Sequence, residues 1–171
     1  MKKIFTFSKG GITPVATPTD FIVIQGANGI LGLIKRITVS ALGATAAGVM
    51  TTNLIRRNSA GTVAALTSVT AAKHDPNSDS ANVTVGYLAA ANYTALGNQV
   101  GQLGSKPLTI PVNGASQNSV EWEYRWSEDE GLFLRGSSDF ICFNLNGDAV
   151  PAGGAGVKFM FEIVVEEMGV R

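Results

Sequence analysis

The most reactive side chains in this sequence are a single cysteine and a single histidine. Cys142 stands in the apolar run 140–143, where a nucleophile is one interpretation and a small buried hydrophobic side chain is the more usual one. No feature of the sequence brings His74 next to it. One histidine is also too few for a transition-metal centre built from several imidazoles. We therefore expect neither a Cys–His nucleophile nor such a metal site.

The loop after the histidine has a partial calcium-binding pattern. Asp75, Asn77 and Asp79 have the one-three-five spacing that opens a calcium loop. Ser80 then replaces the glycine of the sharp turn, and Gly86 stands where the bidentate glutamate is needed. We expect a polar surface loop, and leave open whether a cation binds it.

Carboxylates and aromatic side chains meet near one strand. The acidic turn 128–130 could supply the paired carboxylates of a glycosidase, but an acidic run between strands is more often a solvated loop. Trp122 and Trp126 could stack on a sugar, yet they share a face with Val120 and Tyr124, which favours core packing. With no catalytic constellation, we expect a protein that is not an enzyme and uses no cofactor or metal ion.

The charge content limits the partners. Among 171 residues, 13 Lys and Arg balance 13 Asp and Glu, and only 15% of residues are charged, against roughly 25% in an average protein. A neutral chain lacks the basic surface that nucleic acid or an anionic membrane attracts, so we expect neither as a partner. Low charge instead suits close packing against copies or neighbouring proteins.

The first residues resemble a secretory signal only briefly. Met1-Lys2-Lys3 precedes the apolar run 4–7, which ends at once in Ser8-Lys9-Gly10. The run is too short for a signal peptide, and no segment reaches the length of a membrane span. We expect a protein that is soluble where it is made.

The elements that position these residues follow a period of two from Asp20 onward. The clearest strand is 120–126, with alternating apolar and charged residues, and a second is 157–167. In the run 30–39 the same alternation predicts one shared face for Leu31, Leu33, Lys35, Ile37 and Val39.

Turn signals separate these strands. Asn-Gly pairs at 28–29, 113–114 and 146–147 predict tight reversals. About nine or ten short strands on one chain favour an all-β fold, an antiparallel β-sandwich or barrel. Our prediction is a jelly-roll sandwich, and an immunoglobulin-like sandwich stays open as the alternative.

Residues 1–19 are expected to differ from the sandwich domain 20–171. Two glycines and two prolines in this segment favour an extended N-terminal arm. Such an arm could contact a partner by strand addition through Ile4, Phe5 and Phe7. The alternative is an ordinary first strand of the same domain.

Several short strings carry a family resemblance: Asp20 to Gly26, Ile34 to Ser40, Ala72 to Ser78, Val120 to Trp122, Leu134 to Ser137 and Phe143 to Gly147. In their order and texture they resemble the jelly-roll head decoration (cement) proteins of tailed bacteriophages, over most of residues 20–167. The resemblance implies a homotrimer on the outside of a phage head that contacts the major capsid protein and stabilises contacts between capsomers. It implies a virion protein made in the host cytoplasm, and it carries over no catalytic or ligand residues.

A second function stays open beside this one. Jelly rolls often bind sugars, and Tyr87, Tyr93, Trp122 and Trp126 could offer stacking surfaces. The alternative is therefore a carbohydrate- or receptor-binding β-sandwich module of a phage tail or fibre. An enzyme of the cupin type is not expected, because cupins need several histidine ligands.

Overall fold

The computed structural model describes residues 2–43, 47–63, 66–88, 92–112, 118–123, 131–151 and 156–169. These residues form the strands β1 (Lys2–Ile12), β2 (Asp20–Gln25), β3 (Ile30–Leu42), β4 (Gly48–Arg57), β5 (Thr62–Val63), β6 (Thr67–Ser68), β7 (Ala72–Lys73), β8 (Thr84–Tyr87), β9 (Tyr93–Ala95), β10 (Gln99–Ile110), β11 (Asn118–Glu123), β12 (Leu132–Arg135), β13 (Phe140–Asn144) and β14 (Lys158–Gly169). None of the described residues belongs to a helix long and apolar enough to cross a membrane.

Twelve of these strands make two antiparallel sheets, and β5 and β9 pair as a separate two-stranded sheet. Sheet 1 has the order β11-β3-β14-β1-β7, with β12 also paired to β3, and sheet 2 has the order β10-β4-β13-β2-β8-β6. The fold has eight main strands if β11 and β12 are counted as one and the short strands β5 to β9 are left out. Sheet 1 holds the first, third, sixth and eighth of them, which are β1, β3, β11/β12 and β14. Sheet 2 holds the other four. This is the jelly-roll order, and the predicted all-β antiparallel sandwich is confirmed.

Aromatic side chains join the two sheets across the core. The Phe21 and Phe159 ring centroids lie 5.1 Å apart, and Trp122 meets Phe143 edge-on at 5.5 Å. Each pair links a strand of sheet 1 to a strand of sheet 2. Such tilted and edge-to-face contacts add to the stabilisation from burial itself.

A β-bulge changes the predicted face of β3. Arg36 pairs with Val164 and Ile34 with Val165, so Lys35 is an extra residue without a register partner on β14. Ile34 and Ile37 consequently both face the core, whereas Leu33 is buried outside the main core cluster. The predicted shared face of Leu33, Lys35 and Ile37 is therefore wrong, because strict alternation does not allow for an inserted residue.

Residues 2–12 form β1 inside sheet 1, as in the first-strand alternative given for residues 1–19. The strand pairs with β14 on one side and β7 on the other. Gly11, at φ +70°, lies at a register shift within the strand and does not end it. Residues 2–12 are thus paired on both sides as a strand of this sheet.

The segment between β4 and β10, residues 58–98, closes one side of the sandwich. Within it, β7 extends sheet 1 beside β1, while β8 and β6 extend sheet 2 beside β2. We call this segment the β4–β10 insertion. In the described part of the chain, it leaves β10 and the β11/β12 pair as the strands on the opposite edge.

Candidate functional site

The structure buries a polar cluster on the outer face of sheet 2, beneath the β4–β10 insertion. Arg57 Nε lies 2.6 Å from Asp20 Oδ2 and Arg57 Nη2 lies 3.0 Å from Asp20 Oδ1, which makes a two-point ion pair. Asn144 Nδ2 donates to the same carboxylate at 2.7 Å. All three side chains are almost fully buried. Arg57 suits this place because its planar guanidinium matches both carboxylate oxygens.

Arg57 also joins the sandwich to the base of the insertion. Its Nη1 donates to the carbonyl of Gly97 at 2.7 Å. Burial alone lowers the pKa of Arg57, but the hydrogen bonds and charge of Asp20 outweigh burial and raise the pKa. The guanidinium therefore stays charged and holds the two segments together.

Cys142 lies next to this cluster and is not activated. Burial, with the negative charge of Asp20, raises the pKa of the thiol well above its ordinary value. Burial likewise raises the pKa of Tyr93. Both groups are neutral at physiological pH, so Cys142 packs with Val23 and Phe140 as a small hydrophobic side chain.

A small cavity of about 110 Å³ separates this cluster from the insertion. Leu66, Tyr93 and Phe140 line its apolar part. Liquid water takes about 30 Å³ per molecule, so the cavity has room for a few waters and not for a substrate. The sequence pattern did not indicate that Asp20 and Arg57 form a buried ion pair, because they lie on different strands that only the fold brings together.

In the loop after His74, which we expected to be a polar surface loop, the carboxylates bind groups of the protein. Asp79 Oδ2 lies 2.6 Å from Lys3 Nζ, and this contact lowers the pKa of Asp79. Asp75 Oδ1 accepts the backbone N–H of Asn77, which makes a local turn. His74 Nε2 lies 2.7 Å from Thr6 Oγ1 on β1. The described residues contain no cluster of His, Cys, Asp or Glu side chains arranged to hold a metal ion.

The aromatic candidates for sugar stacking are mostly covered. Trp122 is 6% exposed, with Phe143 at its edge and Lys106 Nζ 5.0 Å from its ring centroid. Tyr87 is buried against Phe161, and Tyr93, which belongs to the insertion, is half-buried. Trp126, Tyr124 and the acidic turn 128–130 lie outside the described residues.

The proposed arm contacts are divided between two faces of β1. Phe5 and Phe7 are buried in the core of their own domain, opposite Val165 and Ile163 on β14. Ile4 points the other way and is 40% exposed. Phe5 and Phe7 are thus not available as contacts with a partner, because successive side chains of a strand leave on opposite faces. Of the three, only Ile4 lies at the surface.

A polar groove of about 600 Å³ runs over the outer face of sheet 1. Within it, Arg36 forms an ion pair with Glu162, and Thr38 donates to Glu121 at 3.3 Å. The groove is open and lined by hydroxyl, carboxylate and guanidinium groups from four strands. It can hydrogen-bond to a polar surface.

Two neighbouring glutamates on β14 fix the insertion and β1. Glu167 is buried and accepts the backbone N–H groups of Asn82 and Val83 at 2.8 and 2.7 Å. Glu166 lies 3.2 Å from Lys2 Nζ and 3.0 Å from Lys35 Nζ. Burial alone would raise the pKa of Glu166, but the two lysines lower it.

The exposed apolar side chains concentrate near one edge of the sandwich. Among the described residues, the exposed large hydrophobic ones are Ile4, Leu42, Val49, Leu96, Val100, Leu103 and Val112. Most lie on β10, on the residues flanking it, or on its neighbour β4. This edge is the described surface best suited to an apolar contact with another protein.

Comparison with protein-family models finds no match, and comparison with curated protein sequences finds none either.

Proposed function

We propose that this chain is a structural virion protein, a decoration protein that binds the outside of a phage head as a homotrimer and stabilises contacts between capsomers. The proposal rests on the resemblance of its strands to the cement proteins of tailed phages. The observation that supports it best is the contrast between two parts of the molecule. The reactive side chains described above are buried or engaged, whereas apolar side chains are exposed along one sheet edge.

In this role the contacts carry the function. Burial of apolar surface and hydrogen bonds at each contact supply the affinity, and polar groups around the contact fix the orientation of the two proteins. Each contact with the capsid can be weak, because three linked copies engage neighbouring sites together and raise the effective concentration. The major capsid protein and other copies of this chain are the proposed partners.

The test is addition of the purified chain to heads of the same phage assembled without it. We expect saturable binding with a copy number fixed by the number of capsomers, measured by quantitative mass spectrometry of purified heads. We also expect treated heads to withstand a higher temperature before they release DNA. Absence of head binding, or a few copies found only on tails, would overturn the proposal.

The alternative is a carbohydrate- or receptor-binding module of a tail or fibre. The groove on the outer face of sheet 1 favours it, because hydroxyl and carboxylate groups there can bind sugar hydroxyls. This function predicts binding to a glycan, weakened in a Glu121→Gln variant, and a location on the tail. The described Trp122 contributes no stacking surface to it.

A further inference from the structure

The free edge of sheet 2 contains two β-bulges that follow one another closely. Along β10, Gln99 pairs with Arg57 and Gly101 with Arg56, so Val100 is an extra residue. Three residues later, Gln102 pairs with Ile55 and Gly104 with Leu54, so Leu103 is also extra. Both bulges fall within the repeated tripeptide Gln-Val-Gly-Gln-Leu-Gly.

Each bulge turns an apolar side chain out of the ladder. Val100 is 58% exposed and Leu103 is 43% exposed. A bulge re-aims the side chain of the inserted residue, and a bulge at a sheet edge ordinarily keeps other strands away. Polar residues would protect the edge in the same way without exposing apolar surface to water. Two apolar residues at these positions indicate a contact surface.

The strand that carries these side chains is itself nearly free of charge. Between Leu96 and Val112 the only charged residue is Lys106. Its ammonium group donates to the carbonyl of Glu121 and lies over the Trp122 ring, so it is held toward β11. At a rotation axis each residue approaches its own copies, and like charges there repel. A neutral apolar strip suits a second copy of this chain better than a charged partner.

We propose that Val100 and Leu103 form the self-association contact of this protein, with the β10 edges of neighbouring copies meeting around a rotation axis. This inference rests on the proposed function, since it assigns the contact within the proposed homotrimer. The two side chains lie about 10 Å apart along an extended strand. In the oligomer, the side chains of one copy bury the apolar surface of those of the next.

The test is the oligomeric state of the full chain, measured by sedimentation velocity over a range of concentrations. We expect the wild type to be an oligomer, and Val100→Asp and Leu103→Asp each to raise the concentration at half-assembly by at least about tenfold. Both positions are exposed in the monomer, so the variants should fold. Circular dichroism and thermal unfolding verify this.

Val49→Asp is the matched control. Val49 is 67% exposed, more than Val100, and it pairs with Thr109 at the far end of β10. We expect this variant to assemble like the wild type. A monomeric wild type, or assembly of the Val100 and Leu103 variants at wild-type concentrations, would overturn the inference.

Head binding of the same proteins separates this inference from the proposed function. If the wild type is an oligomer, the β10 variants dissociate it, and neither binds heads, the inference is supported and the proposed decoration role is overturned. A monomer that binds heads in capsomer-linked numbers keeps the decoration role and overturns the inference.

Discussion

The ion pair of Asp20 and Arg57 is a single-residue feature with a large expected effect on stability. An Arg57→Met variant would leave the Asp20 carboxylate buried. Of the side chains described as its partners, only the Asn144 amide would remain. Breaking a buried pair in this way costs about 3–5 kcal/mol. We expect a loss of that size in the free energy of unfolding from urea denaturation.

The double variant Asp20→Asn with Arg57→Met tests the cause. It removes the uncompensated charge while keeping an amide that can bond to Asn144, so it should recover part of the lost stability. The single variants Asp20→Asn and Arg57→Met are measured alongside. If the double variant loses as much free energy of unfolding as these two together, the buried charge does not cause the instability of Arg57→Met.

Glu166 makes the free energy of unfolding depend on pH in the acidic range. Its pKa in the folded protein lies below the ordinary 4.5, because Lys35 and Lys2 outweigh the effect of burial. A lowered folded pKa gives stability that is present above the unfolded pKa and is lost as pH falls through the folded pKa. We therefore expect Glu166→Gln to be less stable than the wild type at pH 7, with the difference vanishing in acid.

Unfolding curves collected from pH 7 down to about pH 2 would measure this difference directly. Glu162→Gln is a comparison on the same strand, because Glu162 is much more exposed and surface pairs contribute little. A Glu166→Gln difference that stays constant with pH would contradict the assignment.

At the scale of elements, β1 provides two adjacent residues with opposite environments. Phe5 is fully buried and Ile4 is 40% exposed. Truncation of a buried phenylalanine to alanine costs about 3–5 kcal/mol, whereas an exposed position usually changes stability by about 0.5 kcal/mol or less. We expect Phe5→Ala to lower the free energy of unfolding by the larger amount and Ile4→Ala by the smaller.

Chemical denaturation of the two variants side by side is the measurement. Equal, small effects would mean that β1 is not held in sheet 1. They would restore the interpretation of this segment as a separate arm.

The elements also mark where sequence patterns are sufficient. Alternation identified the apolar face of β11 and β14 because those residues keep a period of two, as with Trp122 and Phe161. It failed at Lys35 because a bulge inserts a residue without changing the sequence pattern. It also gave no sign that Arg57 is buried, since the groups near it, such as Gly97 and Tyr93, are far from it in sequence.

At the scale of the whole molecule, low charge predicts insensitivity to salt. With zero formal net charge and 15% charged residues, Coulomb forces contribute little to association. We expect self-association and head binding to change by less than about threefold between about 0.05 and 0.5 M NaCl. Sedimentation at both salt concentrations measures it, and a tenfold weakening would show that charged contacts dominate.

The position of β14 between β1 and β3 has a consequence for the order of events during synthesis. The two neighbours are made early, but the strand that joins them is the last of the described strands to be made. Until then, β1 and β3 have no common partner, whereas all four main strands of sheet 2 are already available. We expect the second sheet to assemble first and the domain to become cooperative only after synthesis of its final strand, as in other folds dominated by distant pairings.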